Sequence, residues 1–167
     1  MSTIVLIGFR GTGKSTLGKW LAQELDLPFV DSDEKVLVHL GFETVSAAWD
    51  AVGEEGWRAG ERAVVPQLLD LDCVVSLGGG APMVEIIGKR LLTVSNVVHL
   101  WASSSVIAER LSGDDDRPAL AGGDLEVMYQ RLPEYAMIAT FGVDTSGDIE
   151  TTREELLKKV SSPRKFN

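Results

Sequence analysis

A short run of glycines followed by a lysine and a serine, close to the start of the chain, has the residue types and spacing that bind phosphate. Residues 8–15 read G-x-x-x-x-G-K-S, which is the P-loop pattern. The glycines allow a tight turn whose N–H groups point at an anion. Lys14 supplies a mobile positive charge for the β- and γ-phosphates, and the hydroxyl of Ser15 can bind Mg²⁺. The motif therefore predicts binding of a nucleoside triphosphate.

The sequence on both sides of this loop predicts the elements that the motif needs. Apolar residues 4–7 indicate a buried parallel strand, and Leu17, Leu21 and Leu25 recur at helical spacing after the loop. The helix that begins there adds the positive end of its dipole to the phosphate site. The alternative interpretation is a glycine-rich turn that only connects a strand to a helix.

Two aspartates at the end of the second predicted strand have a spacing that suits phosphoryl transfer. Asp31 and Asp33 are two residues apart, so they share a face if the alternation of the strand persists. One carboxylate would then hold the Mg²⁺ shell, and the other would accept a proton from an attacking hydroxyl. The alternative is one aspartate that caps a helix beside a second that is solvated.

Three arginines provide the cations that this chemistry requires. Lone arginines are usually surface residues, but a migrating phosphoryl group needs positive charge and an anionic acceptor needs a clamp of its own. Arg58, Arg117 and Arg131 are the candidates. The chain has no N-K-x-D motif for reading guanine, so the pattern favours a kinase over a GTPase.

Strands and helices alternate along the chain, which predicts a parallel sheet covered on both faces by helices. The predicted strands are residues 4–7, 29–31, 73–77, 97–101 and 143–145, and the helices after the first are residues 32–40, 44–51, 57–69, 84–92, 103–111, 125–141 and 149–160. We expect Ser32 and Thr44 to cap helices, and Gly41 and Gly53 to end them. The predicted fold is α/β, with three α/β/α layers around a five-stranded parallel sheet.

One connection is too long and too irregular to be an ordinary loop. Residues 112–123 are rich in Gly, Asp and Pro and show no periodicity, which predicts an active-site lid. The acidic run at residues 114–116 is interpreted as a solvated edge of this lid.

Composition narrows the class of protein further. A chain of 167 residues with 44% hydrophobic residues is expected to form one domain with a real core. A net charge of −9 argues against nucleic-acid binding, and no run is apolar enough to span a membrane. No signal peptide is visible, and the single Cys73 is expected to be a buried core residue. These features predict a cytoplasmic enzyme, with a monomer as the expected state.

Taken together and in order, the motifs resemble those of the shikimate kinase family along nearly the full length of the chain. Asp31-Ser32-Asp33 resembles its D-x-D, and residues 54–61 resemble its G-E-x-x-F-R-x-x-E segment. Residues 78–80 resemble its triple glycine, residues 117–120 its R-P-L-L, residues 131–135 its R-x-P-x-Y and residues 143–146 its V-D-T-S. Two departures are a tryptophan, Trp57, in place of the usual phenylalanine and Ala119 in place of a leucine.

The resemblance implies transfer of the γ-phosphoryl group of ATP to the 3-hydroxyl of shikimate, on the route to chorismate and the aromatic amino acids. It implies a P-loop NTPase fold with a small substrate-binding helical subdomain at about residues 32–61 and the lid at about residues 112–123. The ATP-binding residues that it implies are Gly11, Thr12, Gly13, Lys14, Ser15, Thr16, Arg110 and Arg117. By the same resemblance, Ser15 would bind Mg²⁺ directly and Asp31 would bind it through water.

The resemblance also implies roles on the acceptor side. Asp33 would be the catalytic base, assisted by Lys14 and Arg117. The substrate-binding residues would be Asp33, Arg58, Glu61, Gly78, Gly79, Gly80 and Arg131. Arg58 and Arg131 would pair with the shikimate carboxylate, and Glu61 would orient Arg58.

Two alternatives remain at this stage. The first is another small-molecule kinase of the same architecture, such as a gluconate kinase, which would share the P-loop and the lid. The second is a nucleotide-binding regulatory protein that has no transfer activity. A coupled assay of ADP release with shikimate distinguishes both alternatives from a shikimate kinase.

Overall fold

Five parallel strands form one sheet in the part of the chain that the structure, a computed structural model, describes, which is residues 3–113 and 123–162. The strands are β1 Ile4–Ile7, β2 Phe29–Asp31, β3 Val74–Ser76, β4 Asn96–Trp101 and β5 Phe141–Asp144. Their order across the sheet is β2-β3-β1-β4-β5, so the P-loop strand β1 is central. The predicted α/β class and parallel sheet are confirmed.

Helices connect the strands and cover both faces of the sheet. They are α1 Lys14–Glu24, α2 Ser32–Leu40, α3 Val45–Leu68, α4 Glu85–Leu91, α5 Ser104–Leu111, α6 Asp124–Ile138 and α7 Ile149–Ser161, with a 3₁₀ turn at Ala81–Met83. No helix among residues 3–113 and 123–162 is both long and apolar enough to cross a bilayer.

The two faces of the sheet carry separate cores, because side chains alternate along each strand. On one face, Val5 and Ile7 of β1 belong to a buried cluster with Val65 of α3 and Ile87 of α4. On the other face, Ile4 and Leu6 of β1 belong to a cluster with Leu17 and Leu21 of α1 and Leu156 of α7. A strand buried on both faces explains why β1 is a continuous apolar run rather than an alternating one. The three-layer arrangement is confirmed.

A third, smaller cluster joins α2 to α3 beside the main sheet. Its buried members are Val36, Ala48 and Trp57, and Leu40 is among the side chains that pack against them. Gly60 lies where α3 approaches α2, because a side chain there would come within 2.9 Å of Val36. This small cluster packs α2 against α3, the helix that carries Arg58 and Glu61.

Two local predictions for this helical pair were wrong in detail. Ser32 does not cap α2: the Asp31 carboxylate accepts hydrogen bonds from the N–H groups of Asp33 (2.9 Å) and Glu34 (3.4 Å). The hydroxyl of Ser32 instead accepts one from the N–H of Gly78 (2.9 Å). The cap lies one residue earlier because Asp31, the last residue of β2, still has an extended backbone.

The two helices predicted at residues 44–51 and 57–69 form one element, α3, which breaks at Gly53. Thr44 caps it as predicted, and its side chain accepts from the N–H of Ala47 (3.1 Å). Gly53 has φ 68° and ψ −175°, but the helix resumes directly after it instead of at Trp57. Near the C-terminus, the predicted helix at residues 125–141 ends at Ile138, because Phe141 pairs with Val98 and begins β5.

Cys73 is buried as predicted, and burial, with a smaller effect of the Asp72 charge, raises the pKa of its thiol. Residues 114–122 lie outside the described part of the chain. Arg117, the acidic run at residues 114–116 and most of the predicted lid at residues 112–123 fall there, so these remain predictions.

Candidate functional site

The P-loop connects β1 to α1 and folds back on itself around a buried lysine. Gly11 (φ 80°) and Gly13 (φ 90°) adopt left-handed backbone conformations that other residues rarely take, which explains two of the motif glycines. The side chain of Lys14 is 8% exposed, and its Nζ donates to the carbonyl oxygens of Gly8 (2.9 Å) and Phe9 (3.0 Å). The hydroxyl of Thr12 donates to the carbonyl of Phe9 (2.8 Å). These bonds hold the loop in its anion-binding shape.

The first residues of α1 face the end of β2, where Ser15 meets Asp31. The hydroxyl of Ser15 donates to Oδ2 of Asp31 (3.0 Å), while Oδ1 of the same carboxylate caps α2. A hydroxyl and a carboxylate are hard oxygen ligands of the kind that Mg²⁺ prefers. The pair therefore fits a divalent cation next to the phosphate site.

Two clefts open at the carboxyl edge of the sheet, and we call them the nucleotide cleft and the acceptor cleft. The nucleotide cleft is lined by Gly11, Gly13, Lys14, Ser15, Thr16, Asp31, Asp33, Ser76, Leu77, Gly78, Gly79, Arg110 and Leu111. The acceptor cleft is lined by Arg10, Asp33, Val45, Trp49, Trp57, Arg58, Glu61, Gly78, Gly79, Gly80 and Arg131. Asp33, Gly78 and Gly79 line both, so the Asp33 carboxylate lies where the two clefts meet.

The acceptor cleft contains a guanidinium that acidic side chains hold in place. Nη1 of Arg58 donates to both carboxylate oxygens of Glu61 (2.9 and 2.7 Å), and Nη2 lies 3.5 Å from Oε1 of Glu54. The guanidinium also lies 6.0 Å from the centre of the Trp49 ring. The side chain of Arg58 is only 14% exposed, so its charge acts in a site with little water to screen it.

Glu61 is almost fully buried, at 1% exposure, which is unusual for a carboxylate. Burial raises the pKa of Glu61, while Arg58, the indole N–H of Trp57 and the more distant charge of Arg131 oppose that rise. The indole Nε1 of Trp57 donates to Oε1 of Glu61 (3.0 Å). These donors are the physical reason that a carboxylate is tolerated here.

The third and fourth turns of α6 bring a cation and a buried phenol to the same cleft. Arg131 lies 5.8 Å from the centre of the Phe9 ring of the P-loop. Tyr135, one turn later, is fully buried and donates to the carbonyl oxygen of Gly79 (2.5 Å). Burial raises the pKa of Tyr135 to about 12, so this hydroxyl keeps its proton and remains a donor.

The triple glycine follows β3, and the structure gives two of its members a reason that the sequence did not. A Cβ on Gly78 would collide with Oδ1 of Asp33, and a Cβ on Gly80 would collide with the guanidinium of Arg58. Gly80 has an ordinary φ of −88°, so glycine is needed there for space and not for a special backbone conformation. These glycines give Asp33 and Arg58 their positions.

Arg110, near the end of α5, reaches across to the P-loop from the other side. Its guanidinium donates to the carbonyl of Gly11 (3.0 Å) and to the hydroxyl (3.2 Å) and carbonyl (2.6 Å) of Thr145. Arg110 also lines a more apolar hollow beside the P-loop, whose walls include Ile149 and Thr152 of α7. With the edges of the guanidinium bonded to protein, its flat face is the part suited to stacking on a ring.

The structure thus places the predicted site residues of its described part along two adjoining clefts, except Thr12, which lines the hollow beside the P-loop. Sequence reasoning missed Arg10, which lines the acceptor cleft and lies 3.6 Å from Asp124 at the start of α6. Arg10 occupies a variable position of the P-loop pattern, so the motif carried no signal for it. The supporting bonds of Tyr135 and Thr145 were also missed, although both residues lie in segments that the resemblance had singled out.

Comparison with known proteins agrees with this geometry. The sequence model of the family described as shikimate kinase matches residues 10–161. A shikimate kinase of Neisseria gonorrhoeae is 35% identical over 164 residues, which cover 95% of each protein. The solved structure of a shikimate kinase from Acinetobacter baumannii in complex with shikimate has a TM-score of 0.88 and 26% identity, covering 96% of this chain and 93% of that one.

A gluconokinase structure from Sinorhizobium meliloti 1021 shares the fold, with a TM-score of 0.61, 20% identity and coverage of 96% of this chain and 91% of that one. At that identity the likeness shows the fold alone. The architecture is therefore common to kinases with different acceptors, and the acceptor must be argued from the cleft.

Proposed function

The chain belongs to the shikimate kinase family and is an ATP-dependent phosphotransferase, and from that premise we propose how its residues carry the γ-phosphoryl group of ATP to the 3-hydroxyl of shikimate. The observation that carries the proposal is the position of Asp33, which lines both the nucleotide cleft and the acceptor cleft. A carboxylate at that junction can contact the attacking hydroxyl of one ligand while it faces the phosphates of the other. The reaction belongs to the biosynthesis of aromatic amino acids.

On the nucleotide side, the P-loop backbone holds the phosphates. The N–H groups of the loop and of the first turn of α1 surround the anion, and they belong to Gly11, Thr12, Gly13, Lys14, Ser15 and Thr16. Nζ of Lys14, which rests on the carbonyls of Gly8 and Phe9, moves to the β- and γ-phosphates when they arrive. The flat face of Arg110 stacks on the adenine, because its edges are already bonded to Gly11 and Thr145.

Ser15 and Asp31 are the residues that hold Mg²⁺ in this proposal. The hydroxyl of Ser15 would hold the ion directly and the Asp31 carboxylate would hold it through water, as suits a cation that keeps several of its waters. When bound, Mg²⁺ neutralises charge on the phosphate oxygens. Asp31 also has a structural role. Its Oδ1 caps α2 by accepting from the N–H of Asp33, and this bond fixes the position of Asp33.

On the acceptor side, two arginines hold the carboxylate of shikimate. Arg58, oriented by Glu61, and Arg131, from α6, approach the cleft from different elements and fix the ring between them. Planar guanidinium groups match the geometry of a carboxylate, which lysine does not. The backbone N–H groups of Gly79 and Gly80 are available to the ring hydroxyls.

With the ring held in this way, the 3-hydroxyl lies between Asp33 and the γ-phosphate. Asp33 accepts its proton as the oxygen attacks, and Lys14 stabilises the charge on the transferring group. Most of the acceleration comes from positioning and charge stabilisation, as in other phosphoryl transfers.

We further propose a domain organisation, a lid and a molecular state for the enzyme. Residues 1–167 form one domain, residues 32–61 form the substrate-binding segment, and residues 112–123 form a lid. Arg117 of that lid contacts the transferring phosphoryl group, and lid closure keeps water from competing as the acceptor. The enzyme is a monomer that works in the cytoplasm, where ATP is available.

The proposal is tested by measuring ADP release from purified protein with ATP and Mg²⁺, in the presence and absence of shikimate. We expect shikimate to accelerate ADP release strongly and gluconate to leave it unchanged. Stimulation by gluconate alone would support the gluconate kinase alternative. Nucleotide binding without ADP release under any of these conditions would support the alternative of a regulatory protein.

A further inference from the structure

Trp57 and Glu61 form a hydrogen bond beneath the acceptor cleft that no part of the reaction described above uses. The two residues are one helical turn apart on α3, and the indole Nε1 lies 3.0 Å from Oε1 of Glu61. The same oxygen accepts from Nη1 of Arg58 (2.9 Å). An indole, a carboxylate and a guanidinium therefore form a connected chain that ends in the cleft.

The carboxylate in the middle of this chain depends on its donors. Glu61 is 1% exposed, so water cannot replace a lost hydrogen bond easily. A single nitrogen of Arg58 contacts both of its oxygens, which leaves the plane of the carboxylate free to rotate about that nitrogen. The indole N–H is a second donor from a different direction, and it removes that freedom. A phenylalanine at position 57 would fill similar space without this donor.

Packing is the competing explanation for Trp57. The side chain is 3% exposed and belongs to the cluster that joins α2 to α3 with Val36 and Ala48. Packing alone accounts for a large apolar ring but not for the direction of its N–H, which points at the one buried carboxylate in the described part of the cleft wall. The two explanations differ in what they predict for shikimate binding.

We propose that Trp57 is a positioning residue for the acceptor: its indole N–H orients Glu61, and through Glu61 it holds the Arg58 guanidinium at the angle that receives the shikimate carboxylate. The inference rests on the proposed function, because it gives Arg58 its role. Trp57 acts on substrate affinity and not on the phosphoryl-transfer step, which takes place at Asp33 and the P-loop.

Loss of the Trp57 donor should also change how shikimate binding depends on pH. The charged groups that face Glu61 are Arg58 on its own helix and Arg131 on α6, with Asp33 of α2 and Arg10 of the P-loop in the same cleft. Burial raises the pKa of Glu61 and the Trp57 donor opposes that rise. Without the donor, Glu61 takes up its proton at a higher pH, and a protonated Glu61 no longer holds Arg58 as an ion pair.

The test compares variants that separate the N–H from the ring. Trp57→Phe removes the donor and part of the ring, and site-specific 3-benzothienyl-alanine at position 57 removes only the N–H and keeps the bicyclic shape. Glu61→Leu, which has no acceptor for the indole N–H, and the double variant of Trp57→Phe with Glu61→Leu complete a double-mutant cycle. Trp20→Phe, on α1 against Arg153, is the matched control for losing an indole elsewhere.

For Trp57→Phe and for the benzothienyl variant we expect the KM for shikimate to rise about 3- to 10-fold, the factor of one ordinary hydrogen bond, because the indole acts on Arg58 only through Glu61. The kcat and the KM for ATP should stay within about twofold of wild type, because the hydrogen bond that is lost belongs to Glu61 and not to Asp33 or the P-loop. The acid limb of the shikimate kcat/KM profile should move to higher pH, and Trp57→Phe should have little further effect in the Glu61→Leu background, where the indole N–H has no acceptor. Trp20→Phe should change none of these.

An unchanged KM in the benzothienyl variant would overturn the inference, and so would an equal effect of Trp57→Phe with and without Glu61. If Trp57→Phe fails to fold, the benzothienyl variant alone decides. Wild-type ADP release with shikimate is measured first: its absence would overturn the proposed function, whereas normal wild-type activity with unaltered variants would overturn only the role of Trp57.

Discussion

Asp33 is the acidic side chain that both clefts share, and three neighbours, Asp31, Ser32 and Gly78, determine its position. The Asp31 cap fixes the first turn of α2, and the hydrogen bond from Gly78 to Ser32 fixes that turn against β3. Gly78 has no side chain, which leaves room for the Asp33 carboxylate. Asp31 and Asp33 therefore line the same cleft because Asp31 caps the helix on which Asp33 lies. The predicted continuation of the strand alternation to Asp33 is not what brings them together.

Replacing Asp33 with asparagine keeps the shape of the side chain and removes the proton acceptor. We expect kcat for shikimate phosphorylation to fall by about 10²- to 10⁴-fold, the usual contribution of a general base. Nucleotide binding, followed with a fluorescent ATP analogue, should change little. Asp50→Asn, at an exposed position of α3, is the matched control and should keep wild-type kcat. A normal kcat in Asp33→Asn would show that another group accepts the proton.

Of the three arginines that line the acceptor cleft, the sequence predicted the roles of two and missed the third. Arg58 and Arg131 were predicted as a carboxylate clamp from their motifs, and the structure places both at the wall of one cleft. Arg10 could not be found in this way, because its neighbours in space, Asp124 and the acceptor cleft, are far from it in sequence. A residue whose role depends on distant partners leaves no local pattern.

At the scale of elements, α3 was the least well predicted. Gly53 predicts the end of a helix, so the sequence predicts separate helices at residues 44–51 and 57–69. In the structure one residue, Gly53, makes the whole change of direction, and α3 continues on both sides of it. The small cluster that joins α2 to α3, with Val36 and Ala48, packs against α3 on both sides of Gly53. The periodicity of α3 alone does not reveal that packing.

Gly53→Ala tests whether this break depends on backbone conformation alone. No atom lies within 4 Å of where its Cβ would be, so the cost comes from the backbone, whose φ of 68° and ψ of −175° lie in a region that is almost restricted to glycine. We expect a loss of about 1 to 3 kcal/mol in the free energy of unfolding, measured by urea denaturation. Gly147→Ala is the control, because it also has open space but no positive φ, and it should be neutral or slightly stabilising. Equal effects of the two variants would contradict the explanation.

At the scale of the whole molecule, a buried histidine of the central sheet, His99 of β4, lies between the P-loop lysine and α6. His99 is 8% exposed, and its ring lies 5.1 Å from that of Tyr135 on α6. Burial and the nearby positive charge of Lys14 lower the pKa of His99 to about 4. The imidazole is therefore neutral in the folded protein at neutral pH.

This burial predicts how stability depends on acid. Below about pH 6.5 the unfolded chain protonates His99 while the folded protein does not, so stability falls as the pH is lowered until the folded pKa near 4 is passed. The slope from this one proton is at most about 1.4 kcal/mol per pH unit. We expect the free energy of unfolding of wild type to fall more steeply than that of His99→Phe between pH 6.5 and 4. Parallel curves for the two proteins would exclude His99 as the cause.

The sequence by itself determined the nucleotide half of this protein. A P-loop is a continuous segment whose function comes from its own backbone, so residues 8–15 predict it completely, and the apolar runs predict the α/β sheet that presents it. The tertiary structure decided the acceptor half, because that cleft is built from Arg10 of the P-loop, α2, α3, the turn after β3 and α6, which meet only when the sheet is assembled. The reasons for Gly78 and Gly80 and the bond from Trp57 to Glu61 depend on distances and directions between side chains. Residue spacing limits those distances and directions but does not fix them.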